Sequence, residues 1–314
     1  MHRAFESFLR AQPLLILDGA LATELERRGA DLRDPLWSAK YLIEQPELIL
    51  SVHRDYFEAG ADVATTATYQ ATFEAFQRRG MGAQAAGRLM REAVALARSA
   101  RDQFWEIPRN RANRRRPLIA ASIGPYGAML ADGSEYRGNY PIDDRALRAF
   151  HQPRLEVLAA SGADLFAFET FPCLREALVV ARLLEEYPTQ SAWISFSCQD
   201  GSRTNEGEDI GTCAAALQSF AQIAAIGVNC TRPEHVGSLL GRMRPHTDKA
   251  LIAYPNSGER YDAATGTWHG HADASFCEAS RSWVEAGARL IGGCCRTTPR
   301  DIAALRARWI AASA

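Results

Sequence analysis

Lysine is nearly absent from this chain of 314 residues: Lys40 and Lys249 stand against 34 arginines among the 36 basic residues. Schiff-base aldolases and pyridoxal-phosphate enzymes need a well-placed lysine, so those chemistries rest on two positions at most. No apolar run approaches the ~20 residues of a membrane span, and the N-terminus lacks a signal-peptide pattern. A net charge of −1 removes the basic excess of a nucleic-acid or membrane-surface protein. The seven cysteines are odd in number and include an adjacent pair, which fits a reducing compartment better than a disulfide framework. These absences leave a soluble cytoplasmic enzyme as the expectation.

What is present is an alternation. Short apolar or β-branched runs at Leu14–Asp18, Val63–Thr66, Leu118–Ser122, Leu165–Glu169, Ala192–Ser197, Ala225–Asn229, Ala250–Tyr254 and Ala288–Gly292 read as strands. They lack polar alternation, which suits strands buried on both faces of a parallel sheet. Amphipathic helices are expected between them, among them Pro46–Ala59, Ala83–Phe104, Asp143–Ala160 and Arg175–Tyr187, with a last helix from Pro299 toward Ala312. Helices end in small-residue turns, Gly60-Ala61-Asp62, Gly162-Ala163-Asp164 and Gly287-Ala288, where glycine closes the helix and the next strand follows at once. Eight such units predict an α/β fold, a (β/α)8 TIM barrel occupying residues 1–314 as a single domain. A doubly wound open sheet is the alternative. The arginine-rich stretch Arg109–Arg116 precedes the third strand, which places it at the barrel's N-terminal face, away from chemistry.

Barrel enzymes carry their chemistry where strands end. Asp18 ends the first predicted strand, Thr65–Thr68 the second, Glu169-Thr170 the fourth, Ser197-Cys198 the fifth, Asn229-Cys230 the sixth and Gly293-Cys294-Cys295 the eighth. Lys249 falls at the wrong end of strand seven. No histidine ends a strand, so a Ser–His couple has little support, although His269-Gly270-His271 has the spacing of some metal sites. Cys230, Cys294 and Cys295 follow strands six and eight. Three converging thiolates can hold Zn²⁺ and leave a fourth position open, as a catalytic zinc requires. A redox use of the adjacent pair, and phosphate binding at Gly292-Gly293, compete with that reading. Cys198 is a spare candidate ligand, while Cys213 and Cys277 fit helix packing. Asp18 and Glu169 are either capping carboxylates or two anions for a substrate ammonium group.

Leu17-Asp18-Gly19-Ala20-Leu21-Ala22-Thr23-Glu24-Leu25, Thr65-Thr66-Ala67-Thr68-Tyr69-Gln70, Gly227-Val228-Asn229-Cys230, Tyr254-Pro255-Asn256-Ser257-Gly258-Glu259 and Gly292-Gly293-Cys294-Cys295-Arg296 together resemble the homocysteine S-methyltransferase family, along nearly the whole chain. The resemblance implies that Cys230, Cys294 and Cys295 ligate zinc and that homocysteine sulfur takes the open position. It implies that Asp18 and Glu169 lie near the amino-acid end of homocysteine, with Thr66 close by; Asn229, beside the first cysteine, is counted with the substrate residues. With the chain reaching Ala314 after the eighth helix, no cobalamin module is expected.

Methyl transfer to sulfur needs a thiolate, and a free thiol of pKa ~8.5 is only a few per cent ionised at neutral pH. Metal coordination removes that proton outright. Trp37, Tyr69, Tyr126, Phe171 and Tyr254, at strand ends or in the loops that follow, are candidates to face a cationic donor, packing being the commoner use of each taken alone. In the family's betaine-using branch a tyrosine stands where this chain has Gln70, so the resemblance points to a sulfonium donor. S-methylmethionine is expected, with S-adenosylmethionine second. Betaine remains the alternative donor; a zinc or redox thiol sensor, and a lyase using Asp18 and Glu169, are the readings from other classes. No nucleic acid or membrane partner is expected.

Overall fold

The structure, a computed structural model, describes residues 3–32, 34, 36–262, 267–269 and 276–310. Its main sheet is assembled from β1 (Leu15–Ile16), β2 (Val63–Thr65), β3 (Leu118–Ile123), β4 (Leu165–Phe171), β5 (Ala192–Phe196), β6 (Ile223–Asn229), β7 (Ala250–Tyr254) and β10 (Ala288–Ile291). All pairings are parallel, in the order β1-β10-β7-β6-β5-β4-β3-β2. A bridge from Leu17 to Val63, with Asp62 N donating to Ile16 O (2.6 Å) and Asp18 N to Val63 O (3.0 Å), joins the two ends and closes the barrel. The open-sheet alternative is thereby excluded. An antiparallel pair, β8 (Arg260–Asp262) and β9 (Thr267–His269), is inserted after β7.

Strand β1 is shorter than the run Leu14–Asp18 suggested. Leu17 nonetheless continues the strand's bonding on both sides, its N–H donating to Ile291 O (2.8 Å) while it bridges to Val63. β4 runs two residues past Glu169, and β5 stops at Phe196, before Ser197-Cys198.

Side chains alternate between two apolar layers, as the period of two demands. Ile16, Ala64, Ile119, Phe166, Phe168, Ile194, Val228 and Leu251 point out and pack under the helices. Leu15, Leu17, Val63, Leu118, Leu165, Trp193, Ile252 and Leu290 fill the barrel itself. Ala120, Ala167 and Ala225 share that interior with Trp193, which is fully buried. Small residues on facing strands make room for one indole.

The helices begin and end where their chemistry says. Pro46 opens Pro46–Ala59 at its first turn and Gly60, at φ 112°, ends it. Asp143 caps Asp144–Ala159 by accepting from Ala146 N. Thr298 and Asp301 form a reciprocal capping box on Pro299–Trp309; Ala312, the expected end of that helix, lies outside the described residues. No helix among the described residues is long and apolar enough to cross a membrane. The arginine-rich stretch does structural work below the barrel, with Arg114 donating to Phe57 O (2.9 Å) and Ala61 O (2.6 Å).

Candidate metal and substrate site

Above the apolar fill, the next inward positions are polar. Thr65, Ser122, Glu169, Ser195, Asn229 and Tyr254 come from successive strands, and Asp18 follows β1 at the same level. The barrel mouth is therefore a continuous polar ring on an apolar plug.

The cysteines come together there. Cys230 Sγ lies 3.6 Å from Cys295 Sγ, Cys295 Sγ lies 4.0 Å from Cys294 Sγ, and all three sulfurs fall within 4.8 Å of one another. Tetrahedral zinc with ~2.3 Å bonds spaces its sulfurs ~3.8 Å apart, so the trio fits that ion. Among the described residues no other group of three such donors converges. Hydrogen bonds from the Cys294 and Cys295 thiols hold Cys230 well below the usual thiol range, while the same contacts with Cys230 push Cys294 and Cys295 up.

Backbone geometry explains the convergence. Cys230 adopts φ 46° and Arg296 φ 68°, left-handed values that are uncommon outside glycine and that turn the chain sharply beside each sulfur. Gly292 and Gly293 lie against the first strand, with Gly293 N donating to Asp18 O (3.1 Å). A Cβ on Gly292 would stand 2.5 Å from Leu17 Cβ, and one on Gly293 would stand 2.2 Å from Thr297 Oγ1. These glycines serve close packing of the cysteine turn, which leaves no open cradle for a phosphate. Cys294 N donates to Pro255 O (2.7 Å), fixing the turn to the β7 loop.

Two buried carboxylates face this cluster without a cation among the described residues. Asp18 accepts from Thr65 N (2.8 Å) and Thr65 Oγ1 (3.2 Å), and burial, with Glu169 adding to it, pushes its carboxyl well above the usual range. Glu169 accepts from Ser122 Oγ and from Tyr254 OH (3.1 Å), and burial pushes it up to about 7, with the Cys294 charge acting in the same direction. Asn229 is fully buried with both amide ends occupied: Oδ1 accepts from Thr170 N (2.7 Å) and Ser195 Oγ (2.8 Å), while Nδ2 donates to Thr170 Oγ1 (2.8 Å) and reaches Cys294 Sγ at 3.8 Å. Thr66 is also buried, its Oγ1 2.6 Å from Thr68 Oγ1 and accepting from Ser122 N.

Other candidates lie elsewhere. Cys198 packs in the outer core with its N–H on Thr231 Oγ1, apart from the sulfur trio. His269 is exposed on β9, and His271 falls outside the described residues. Lys249 binds Phe220 O at the far end of β7, and Lys40 lies over the Tyr41 ring. Of the five aromatic residues, Phe171 is fully buried against His151 and Phe168, and Tyr126 packs on Tyr140 and Phe150. Both serve packing, the commoner use of each taken alone. Tyr254 is held by Trp193 Nε1 (2.9 Å) and Glu169. Trp37 and Tyr69 meet edge to face at 5.9 Å.

Sequence reasoning missed Glu135 and Tyr136. They sit in the short 3-10 turn Ser134–Tyr136, where Tyr136 OH lies 3.2 Å from Cys230 Sγ. A turn inside a long loop has no periodicity to announce it; only its position after a strand end marked it out.

The chain matches the homocysteine S-methyltransferase family over residues 15–309. It is 55% identical over 298 residues to the homocysteine S-methyltransferase YbgG of Bacillus subtilis (strain 168), covering 95% of each chain. It is 48% identical over 305 residues to the homocysteine S-methyltransferase of Escherichia coli (strain K12), covering 96% of this chain and 97% of that one. The metallated crystal structure of the homocysteine methyltransferase MmuM from Escherichia coli superposes with a TM-score of 0.87 at 45% identity, covering 96% of this chain and 98% of that one.

Proposed function

The chain belongs to the homocysteine S-methyltransferase family, and from that premise we propose that it methylates L-homocysteine from a sulfonium donor, S-methylmethionine first and S-adenosylmethionine second, at a zinc site formed by Cys230, Cys294 and Cys295. The observation that carries this is the trio of sulfurs at the barrel mouth beside two buried carboxylates that have no cation. The chemistry zinc supplies when bound is Lewis-acid deprotonation of a thiol, so that homocysteine is held as thiolate near neutral pH.

The chain's own residues do the rest. Asp18 and Glu169 receive the homocysteine ammonium group, and its positive charge offsets the burial that raises both carboxyls. Asn229 is a positioning residue: its amide ties Thr170 and Ser195 to Cys294 and keeps the sulfur cluster in register with the β4 and β5 strand ends. In the displacement, a sulfur lone pair of homocysteine forms the new C–S bond to the methyl carbon. The methyl–sulfonium bond breaks, and its electron pair stays on the leaving sulfur as a neutral thioether. Charge is neutralised on the way to the transition state, which a dry mouth favours, and most of the acceleration comes from alignment, where effective molarities reach ~10⁵ M or more.

The donor assignment rests on Gln70. It is buried with Nε2 donating to Ala128 O (2.8 Å), where the betaine-using branch carries a tyrosine. Side-by-side rates with S-methylmethionine, S-adenosylmethionine and betaine at equal concentration test it, and faster turnover with betaine overturns it. Metal analysis tests the site: about one zinc per chain is expected, with Cys230→Ser, Cys294→Ser and Cys295→Ser each losing most metal and activity in a folded barrel. Full zinc occupancy in Cys294→Ser would remove that ligand from the set.

A further inference from the structure

The loop that follows β3 is fastened at many points, and the fastening presents one acidic side chain that the chemistry above leaves unused. Gly124 N donates to Tyr69 O (3.2 Å), and a Cβ on Gly124 would lie 2.8 Å from the Tyr69 ring, so the loop starts against that ring. Arg154 Nη2 donates to Gly124 O (2.8 Å), and Tyr126 N donates to Glu176 Oε1 (2.6 Å). Further along, Gly127 packs on the Ser134–Glu135 peptide, where a Cβ would stand 2.5 Å from Glu135 N. Asp132 Oδ1 accepts from Ser134 N (2.9 Å), and Ser197 Oγ donates to Glu135 O (3.2 Å). The turn is thus built, and it sets Tyr136 OH 3.2 Å from Cys230 Sγ.

Glu135 stands next to that contact. Its carboxylate is close enough for its charge to act on Tyr69, Tyr136 and Cys230. Its Oε2 is buried and has no hydrogen-bond partner. A buried carboxyl oxygen without a donor calls for an explanation. Burial also pushes Glu135 up to about 7, and a cation arriving beside it both supplies the missing partner and favours its ionised form. The amino-acid end of homocysteine does not need it, because Asp18 and Glu169, close enough for their charges to interact, already serve that end in the reading above. Resting on the methyl-transfer reading above, we infer that Glu135, with the rings of Tyr69 and Tyr136, forms the subsite that receives the cationic methyl donor beside Cys230. A sulfonium brings one positive charge that must be matched as it leaves water, and π faces with a carboxylate match it without hydrogen-bond donors. After transfer the leaving thioether is neutral and loses its attraction to Glu135, so the same group favours exchange of product for fresh donor.

The charge-selective step is what distinguishes this role from simple packing. S-methylmethionine and methionine differ by one methyl and one charge, so their binding to the metal-loaded enzyme is compared by calorimetry in the native chain, Glu135→Gln and Glu135→Asp. The native protein is expected to prefer the sulfonium; Glu135→Gln should reduce that preference by roughly tenfold or more, the scale of one lost charge contact. Glu135→Asp should restore part of it. In steady-state assays the donor KM should rise in Glu135→Gln while homocysteine KM and zinc content hold. An unchanged preference in Glu135→Gln overturns the assignment, as does a loss confined to homocysteine. If betaine proves the faster donor, the sulfonium reading fails. A raised betaine KM in Glu135→Gln would then still support the cation subsite, and an unchanged one would end it.

Discussion

Glu169 meets two hydroxyl donors and no cation among the described residues, which is an unfinished environment for a carboxylate at the bottom of an active-site mouth. Replacing it with glutamine removes the charge, keeps the shape, and turns one of the two acceptor oxygens now facing Ser122 and Tyr254 into a donor. Glu169→Gln is therefore expected to retain zinc and to weaken homocysteine binding by about 1.5–3 kcal/mol, roughly 10- to 150-fold in kcat/KM at limiting homocysteine. Unchanged kinetics there would make Glu169 a structural carboxylate. Gly293 offers a test of the cysteine turn that leaves every ligand in place. Because a methyl group there would drive into Thr297, Gly293→Ala should cost about 1–3 kcal/mol of stability in urea unfolding and lower metal occupancy as well. Residue identity made the sulfur trio and the two carboxylates legible, since each stands within a few residues of a strand's C-terminal end. Asn229 was legible as a strand end, but its engagement with Thr170, Ser195 and Cys294 depends on three neighbouring strand ends and cannot be read from spacing.

Strands and helices were legible for a different reason: apolar runs buried on both faces and amphipathic stretches of three or more turns carry enough repeats to declare themselves. The loop after β3 carries none, and its order comes from a buried polar network shared between two helices. Arg154 Nη2 donates to His151 Nδ1 (2.9 Å), so the ring proton sits on Nε2 and is donated to Glu176 Oε1 (2.8 Å). Burial lowers His151 well below its usual range and pushes Glu176 up to about 8. Glu176 Oε2 is buried without a hydrogen-bond partner, and that burial is what favours the neutral, protonated carboxyl. An unfolded glutamate releases that proton near pH ~4.3, so between there and about 8 the native state binds more protons. This group therefore contributes stability that is fully present below the unfolded pKa and is lost as pH rises through 8. Thermal unfolding of Glu176→Gln, followed from pH 5 to 9, should show a flatter dependence than the native chain. Parallel curves for the two proteins would mean that Glu176 is ionised throughout.

At the scale of the whole barrel, stability and chemistry occupy opposite ends, which makes them separable by mutation. The turns Gly60-Ala61-Asp62 and Gly162-Ala163-Asp164 repeat one device: the aspartate reaches sideways to a backbone N–H of the neighbouring strand, Asp62 Oδ2 to Ile16 N (3.1 Å) and Asp164 Oδ2 to Ile119 N (2.8 Å). The two copies differ in what surrounds them. Asp164 is 32% exposed and pairs with Arg101 at 3.1 Å. Asp62 is fully buried at the closing seam between β1 and β2, where Arg306 approaches to 2.9 Å and Arg114 to 3.7 Å. Removing an exposed partner costs about 1 kcal/mol, whereas removing one partner of a buried pair strands the remaining charges and costs about 3–5 kcal/mol. Asp62→Ala should thus lower the urea midpoint far more than Asp164→Ala, and the seam between β1 and β2 should be the first part of the barrel to exchange its amide protons. The cysteine cluster lies at the other mouth, beyond the plug of Leu15, Val63, Trp193 and Ile252. Folded Asp62→Ala enzyme, assayed at low temperature, should accordingly keep a near-native kcat and bind zinc normally. Lost activity with an unshifted unfolding midpoint would show instead that the closing seam governs the mouth.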